Sequence, residues 1–418
     1  MASGLPRPEP ARSFPSEAVK AILEEVRTGG DDAVRRLTEK FDRVSLDSLR
    51  VPPADVSAAL GRVSSELREA LELAYGRIMS YHAHEQPPLD DFVDGWLRVR
   101  HLVRSVPRAG LYAPGGRARY PSTVLMCAAP ARVAGVKELA LCVPPGPDGE
   151  VADETLAAAA VAGIDEVYRI GGAQAVGAMA FGTESVRAVE VIAGPGNSYV
   201  AEAKRQVSGL VGIPSAFAGP SEVVVIADAS VDPRWAAVDL VVQAEHGPDG
   251  MAWLVTWSAD VADAVASEVA RLVEASPRRE DLRSTFSTGG VSVLVDGPEA
   301  AVAVANEVAP EHLELMVDDA VALLPLVRAA GAVFLGPWAP ASVGDYVAGP
   351  NHVLPTARTA RFASALRVDD FQVHIHAVEL DYDGLAAIGP AAALIADAEG
   401  LGAHGQSIRL RLERGVEP

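Results

Sequence analysis

Glu138-Leu139-Ala140-Leu141-Cys142-Val143 is a short apolar run that stops at Pro144-Pro145-Gly146 and is followed by the Ala-rich segment Asp153 to Ala162. The same order of short apolar run, Gly or Pro turn and Ala-rich segment recurs around it. Gly110-Leu111-Tyr112 precedes Ser122 to Ala134, Glu166 to Ile170 precedes Ala173 to Ala180, and Val189 to Ile192 precedes Ser198 to Val207. Alternation of strand-length and helix-length segments predicts a parallel sheet with helices on both faces. A second series follows, with strands at Glu222 to Ile226, Ala252 to Thr256, Val291 to Val295 and Ala332 to Leu335. Its helices are expected over 233–245, 260–275, 298–307 and 318–330. The fold class is therefore α/β, with two Rossmann-like parallel-sheet domains that meet near Gly219-Pro220.

Outside the two series the pattern changes. Val19, Ile22, Leu23 and Val26, then Ala33, Val34 and Leu37, read as two amphipathic helices broken at Gly29-Gly30, and a third is expected from Val56 to Tyr81. After Arg361, Asp383 to Glu399 reads as a helix and Ser407 to Leu412 as a closing strand. The expected domains are 16–110 with 222–365 as a catalytic α/β domain with a helical N-terminal part, 111–221 as a nucleotide-binding domain, and 366–418 as a C-terminal segment.

With 418 residues and 49% hydrophobic content, the chain can bury more than one core. A net charge of -20 makes nucleic acid and anionic membranes poor partners and a small molecule the better one. Cys127 and Cys142 sit singly in apolar stretches, so no disulfide framework or thiolate metal site is expected, which fits a reducing cytoplasm. The first 15 residues lack the apolar core of a signal peptide, and no apolar run approaches the roughly 20 residues of a membrane span.

The chemistry-bearing residues fall in a few segments. Gln243 and His246 lie three apart near the end of one helix, just before Gly247-Pro248, and so share a face at a loop mouth. A Gln-x-x-His pair is by itself a weak zinc signal, and an isolated His there would more often be a helix-terminal residue. Glu311 and His312 follow Pro310, a residue favoured where a helix starts, and would diverge by about 100° on that helix. A carboxylate to activate water and an imidazole to take protons suit separate roles in one pocket. The plain alternative is a solvated helix cap. Asp345 and His352 lie in the polar Gly344 to Thr356 loop, and Glu399 and His404 in the C-terminal segment. No Gly-x-Gly-x-x-Gly opens a helix. Instead, Tyr112 to Gly116, Gly171 to Gln174 and Gly194 to Asn197 are βα turns at which a phosphate-bearing ligand could approach backbone and helix N-termini. Gly219 to Glu222 opens the second series in the same manner, placing the Ser221 hydroxyl near the junction.

Taken together, these segments, with Ala309 to Leu313, resemble the histidinol dehydrogenase family, in order and with its spacing, from about Ile22 to Leu412. The resemblance implies oxidation of L-histidinol to L-histidine with two NAD+, the last step of histidine biosynthesis. It further implies Gln243, His246, Asp345 and His404 as ligands of one zinc per subunit, and Glu311 and His312 as the catalytic pair. Ser221, His352 and Glu399 would line the substrate pocket with the metal ligands and His312. Tyr112, Gln174 and Asn197 would contact NAD. It implies an intertwined homodimer in which Glu399 and His404 complete the partner's site. Two places depart from the family pattern: Ala357-Arg358 stand where small Gly-containing residues are usual, and Phe371-Gln372-Val373 replace a commoner basic sequence. An added Arg could meet an anionic group, so a paralogue oxidising another primary alcohol, such as a sulfonated diol, is the nearest alternative. A non-catalytic binding protein of the same fold is the other, and intact Glu311 and His312 count against it.

Overall fold

The computed structural model describes residues 5, 15–85, 90–115, 119–215, 219, 221–245 and 250–413. The chain divides into two compact units, Met1–Glu85 with Val106–Phe371, and Gln86–Ser105 with Gln372–Pro418. Strands β1 (Phe92–Asp94) and β2 (Leu97–Ser105) come first in the chain. A four-stranded sheet follows from β3 (Arg108–Tyr112), β4 (Glu138–Val143), β5 (Glu166–Arg169) and β6 (Val191–Ala193), parallel throughout and ordered β5-β4-β3-β6. A five-stranded parallel sheet is built by β7 (Glu222–Ala227), β8 (Met251–Thr256), β9 (Gly290–Leu294), β10 (His312–Met316) and β11 (Ala332–Leu335), ordered β11-β10-β7-β8-β9. Finally β12 (Gln372–Leu380) pairs antiparallel with β2 in the smaller unit, which also holds two helices.

The two sheets form because their strands are apolar on both faces. Val223-Val224-Val225-Ile226 is buried along its whole length. Val224 and Ile226 pack with Trp253, Leu313 and Leu315, whereas Val223 and Val225 pack with Ala236, Ala237 and Leu240 of the covering helix Pro233–Ala244. A strand covered twice has no polar face to show in its sequence. The break expected at Gly29-Gly30 is present inside the helix Ser16–Asp42. Gly30 sits at φ +51°, and the Glu184 carboxylate accepts from the Asp31 N–H at 2.7 Å beside it. This helix and Ser65–Ala83 pack on the four-stranded sheet, burying Val19, Val26 and Val34 with Tyr112 and Ala140, and Leu71 and Ile78 with Leu125 and Leu141. The sequence reading had grouped them with the later sheet instead.

Four other expectations change. Glu311 and His312 do not start a helix: Ala309, at φ +52°, ends the helix Pro298–Val308, Pro310 follows that end, and His312 opens β10. Ser407 to Leu412, whose alternating apolar and charged residues suggested a strand, belongs to the helix Gly402–Glu413, and Ile408 packs against Gly389 of the helix Tyr382–Ala398. Val56 to Tyr81 is two helices, Pro53–Ala58 and Ser65–Ala83, the second capped by the Ser64 hydroxyl, which accepts from Leu67 N–H. The helix expected over 318–330 is only Ala320–Leu323 with a 3-10 turn at Leu324–Leu326. No helix of the described residues is long and apolar enough to cross a membrane.

Candidate active site

β10 and β7 are neighbours in register, His312 opposite Val223, so the residues just before them, Glu311 and Glu222, meet at the amino edge of the five-stranded sheet. The Glu222 N–H donates to Glu311 Oε2 at 3.2 Å, and Ser221 adds a side-chain hydrogen bond to the same carboxylate. Burial pushes the Glu311 carboxyl up, against the pull of His312. The Glu222 side chain is buried, and backbone hydrogen bonds from Arg358 and Ala357 only partly offset that burial. Burial and the neighbouring Glu311 charge raise its pKa to about 8.

His312 lies on the sheet face covered by the helix Pro233–Ala244, together with Glu314 and Met316. Its Nε2 is 3.1 Å from Asp345 Oδ1, and its Nδ1 is 3.8 Å from Glu311 Oε2 with no hydrogen-bond partner of its own. The Phe334 ring stacks on it, 5.9 Å between centroids. Burial alone would push the imidazole pKa down. The Glu311 charge and the Asp345 hydrogen bond outweigh that and raise it to about 9. Without a metal, the two neighbouring carboxyl groups thus favour the protonated imidazole.

Asp345, expected in a loop, lies instead in the short helix Ala341–Tyr346, whose first N–H, that of Ala341, donates to Glu314 Oε1 at 2.8 Å. Glu314 also hydrogen-bonds Asp239, four residues before Gln243 on the covering helix, and burial pushes both acids up. His352 donates from Nδ1 to the Asp345 carbonyl at 2.7 Å, and its Nε2 takes the Thr123 hydroxyl at 3.2 Å. Asn351 anchors this loop. Its Nδ2 donates to the Met126 carbonyl at 2.7 Å and approaches His82 Nε2 at 3.2 Å, while its Oδ1 accepts from Val353 N–H at 2.9 Å. Arg358 is tied to Glu307 at 3.2 Å and is not held out for an anion.

The structure therefore brings Ser221, Glu311, His312, Asp345 and His352 into one bonded network. Gln243 is buried on the covering helix with its Nε2 unpartnered, and a half-turn of the amide would present its oxygen there instead. His246 lies outside the described residues. Glu399 and His404 are exposed, in the smaller unit. Among the described residues no three His, Cys, Asp or Glu side chains form a metal cage. Gln243 and Asp345 each carry a side-chain oxygen of a kind that can ligate zinc.

A separate cleft of about 1430 Å³ opens at the carboxyl edge of the four-stranded sheet, where β3 and β6 leave in opposite directions, and Tyr112, Gln174 and Asn197 all line it. Ligands bind at such switch points. Gly172 N–H donates to the Tyr112 hydroxyl at 3.1 Å, and Asn197 caps the helix Ser198–Val207 by accepting from Tyr199 and Val200 N–H. Gly194, at φ +111°, allows the turn to pass so close to β3 that a Cβ would lie 2.1 Å from the Tyr112 carbonyl oxygen. Sequence reading missed Glu222, Glu314 with Asp239, Phe334, Thr123 and Asn351. Two of these, Glu222 and Asn351, stood inside motifs already singled out.

The family model for histidinol dehydrogenase matches residues 6–412. The histidinol dehydrogenase of Gluconobacter oxydans (strain 621H) is 49% identical over 402 residues, 96% of this chain and 93% of that one. That of Parasynechococcus marenigrum (strain WH8102) is 48% identical over 396 residues, 94% and 90% respectively. The crystal structure of histidinol dehydrogenase from Elizabethkingia anophelis superposes with a TM-score of 0.93 at 35% identity, covering 97% of this chain and 94% of that chain.

Proposed function

The chain belongs to the histidinol dehydrogenase family, and from that premise we propose that it oxidises L-histidinol to L-histidine through L-histidinal, passing four electrons to two NAD+ in the last step of histidine biosynthesis. The observation that carries the reading is the line Glu311, His312, Asp345, in which one imidazole lies between a buried carboxylate at 3.8 Å and a second carboxylate at 3.1 Å. His312 takes the alcohol proton in the first oxidation and the hydrate proton in the second. Glu311, whose carboxyl burial holds above the usual range, takes a proton from the water that attacks the aldehyde. Ser221 and Glu222 N–H fix the Glu311 carboxylate so that its basic oxygen keeps one orientation.

Zinc, held by Gln243, His246, Asp345 and His404, would anchor the imidazole and amine of the substrate, and would draw off the Asp345 charge that keeps His312 protonated. NAD+, the hydride acceptor, would lie in the cleft against Tyr112, Gln174 and Asn197. Ser221, His352 and Glu399 complete the substrate pocket. The working form we infer is a cytoplasmic homodimer in which Glu399 and His404 of residues 366–418 reach the partner's site, with the catalytic domain formed around the sheet of 222–365 and the NAD-binding domain by 111–221 together with the helices Ser16–Asp42 and Ser65–Ala83 packed on it. With Arg358 held by Glu307, no observation favours an anionic alcohol over histidinol.

The test is NADH formation from L-histidinol before chelation, after it, and with zinc restored. Two NADH per histidinol, lost and regained with the metal, is the expected result. No NADH from folded, zinc-loaded protein would overturn the reading. Within it, His312→Asn should suppress hydride transfer from the alcohol, whereas Glu311→Gln should spare that step and impair oxidation of the aldehyde. Equal loss of both half-reactions would refute the separate roles.

A further inference from the structure

Asp42 is a cleft carboxylate that the chemistry above does not use. It is the last residue of the helix Ser16–Asp42 and lines the same cleft as Tyr112, Gln174 and Asn197. Its Oδ2 is buried without a hydrogen-bond partner, and burial pushes its pKa up to about 6. A carboxylate left in that condition by the protein gains from any ligand that brings it hydroxyl donors.

The described residues lining the rest of the cleft include no unengaged cation for an extra phosphate. Among its described lining residues the cations are Arg62 and Arg119, and both are already engaged: Arg62 Nε with Asp153 at 2.8 Å, Arg119 with Glu154. The helix that ends at Asp42 also turns its carboxyl end, with its partial negative charge, toward this place. In dinucleotide sites an acidic side chain accepts from ribose hydroxyls, and an arginine is what accommodates a 2′-phosphate. Here the acid is present and no described arginine is free.

We propose that Asp42 is a specificity-determining residue of the cleft, accepting hydrogen bonds from the vicinal hydroxyls of a dinucleotide ribose and excluding a ribose that carries a 2′-phosphate. This rests on the reading that the cleft holds the nicotinamide dinucleotide. Binding of NADH and of NADPH, measured by calorimetry without substrate, tests it on wild type, Asp42→Asn, Asp42→Ala and Gln174→Ala. Wild type should bind NADH at least about 100-fold more tightly than NADPH, since a site built for hydroxyls leaves its acceptor unpaired or repelled otherwise. Asp42→Asn, isosteric and uncharged, should weaken NADH about tenfold and cut the preference by a similar factor, with its urea midpoint unchanged. An unchanged NADH to NADPH ratio in both Asp42 variants, with NADH still weakened by Gln174→Ala, would overturn the role of Asp42 and leave the cleft reading standing. NADH binding unaffected by Gln174→Ala and by both Asp42 variants would overturn the two together.

Discussion

Replacing Asn351 with Ala should cost this protein more than any other single polar change near the site. Asn351 is 4% exposed and holds three groups at once: the Met126 carbonyl at 2.7 Å, the Val353 N–H at 2.9 Å and His82 Nε2 at 3.2 Å. His82 is itself fully buried and bonded through Nδ1 to Glu85 at 2.7 Å, so it cannot turn to water for a substitute. Each orphaned buried group costs roughly 1–3 kcal/mol, and with some local relaxation the sum is about 3–5 kcal/mol, a large share of a stability that typically totals about 5–15 kcal/mol. Function should suffer too, because the next residue, His352, bridges the Asp345 carbonyl and Thr123. A misplacement of about 1 Å there should raise the histidinol KM by at least about tenfold in protein that remains folded. Asn351→Asp should not rescue it, since a carboxylate oxygen would face the Met126 carbonyl. Urea unfolding followed by tryptophan fluorescence, with steady-state kinetics at a temperature where the variant is folded, reads both effects. A loss under about 1 kcal/mol, or a destabilised variant with unchanged KM, would refute the reasoning.

The metal-free protein should lose stability as the pH rises from 6.5 to 9.5. Glu222 and His312 bind their protons more tightly folded, at about 8 and about 9, than at their ordinary 4.5 and 6.5, so each favours the fold below the ordinary value and loses that advantage through its raised one. Lys204, lowered by burial from 10.5 to about 8, acts in the opposite sense, its contribution present above 10.5 and lost as pH falls through 8. Urea midpoints across this range should therefore decline in wild type and decline less in Glu222→Gln; parallel slopes for the two proteins would be evidence against the buried acid. Gly194→Ala should lower stability by at least about 2 kcal/mol and weaken NADH binding, because both the φ of +111° and the 2.1 Å approach to the Tyr112 carbonyl reject a Cβ. Normal NADH binding by that variant would mean that the turn can move without harm.

What the sequence revealed and what it hid follow from the range of the interactions involved. Strands such as Glu138–Val143 and Glu222–Ala227 are legible because burial on both faces writes an unbroken apolar run, which is a local signal. β2 and β12 were missed because they pair across 266 residues of intervening chain, 106–371, and are half-buried and mostly exposed respectively, so neither carries such a run. Asn351 is the extreme case, with partners 225 and 269 positions away in sequence. Chemical identity was legible where geometry was not: Glu311 and His312 stood out by residue type, yet their backbone was misread because proline marks both the start of a helix and the stretch just past its end. Ala309 in the left-handed region settles which of the two applies.

That correction changes the chemistry as well as the secondary structure. A helix start would leave Glu311 and His312 diverging at a frayed end, with the four free N–H groups of that end nearby. At the mouth of a parallel strand, His312 is instead fixed by ladder pairing on both sides, to β7 and to β11. Glu311, whose carbonyl accepts from Ala332 N–H at 2.9 Å, turns its side chain so that Oε2 lies 3.8 Å from the imidazole and accepts from Glu222 N–H. Both members of the proposed acid/base pair are thereby held in place, His312 by the ladder and Glu311 by Glu222 N–H and Ser221. Gly194, at the carboxyl edge of the other sheet, serves a different need, letting its turn pass against the Tyr112 backbone where a Cβ would not fit. In the proposed assignment, strand ends are therefore used at opposite edges in the two sheets, for acid/base chemistry at the amino edge and for ligand binding at the carboxyl edge.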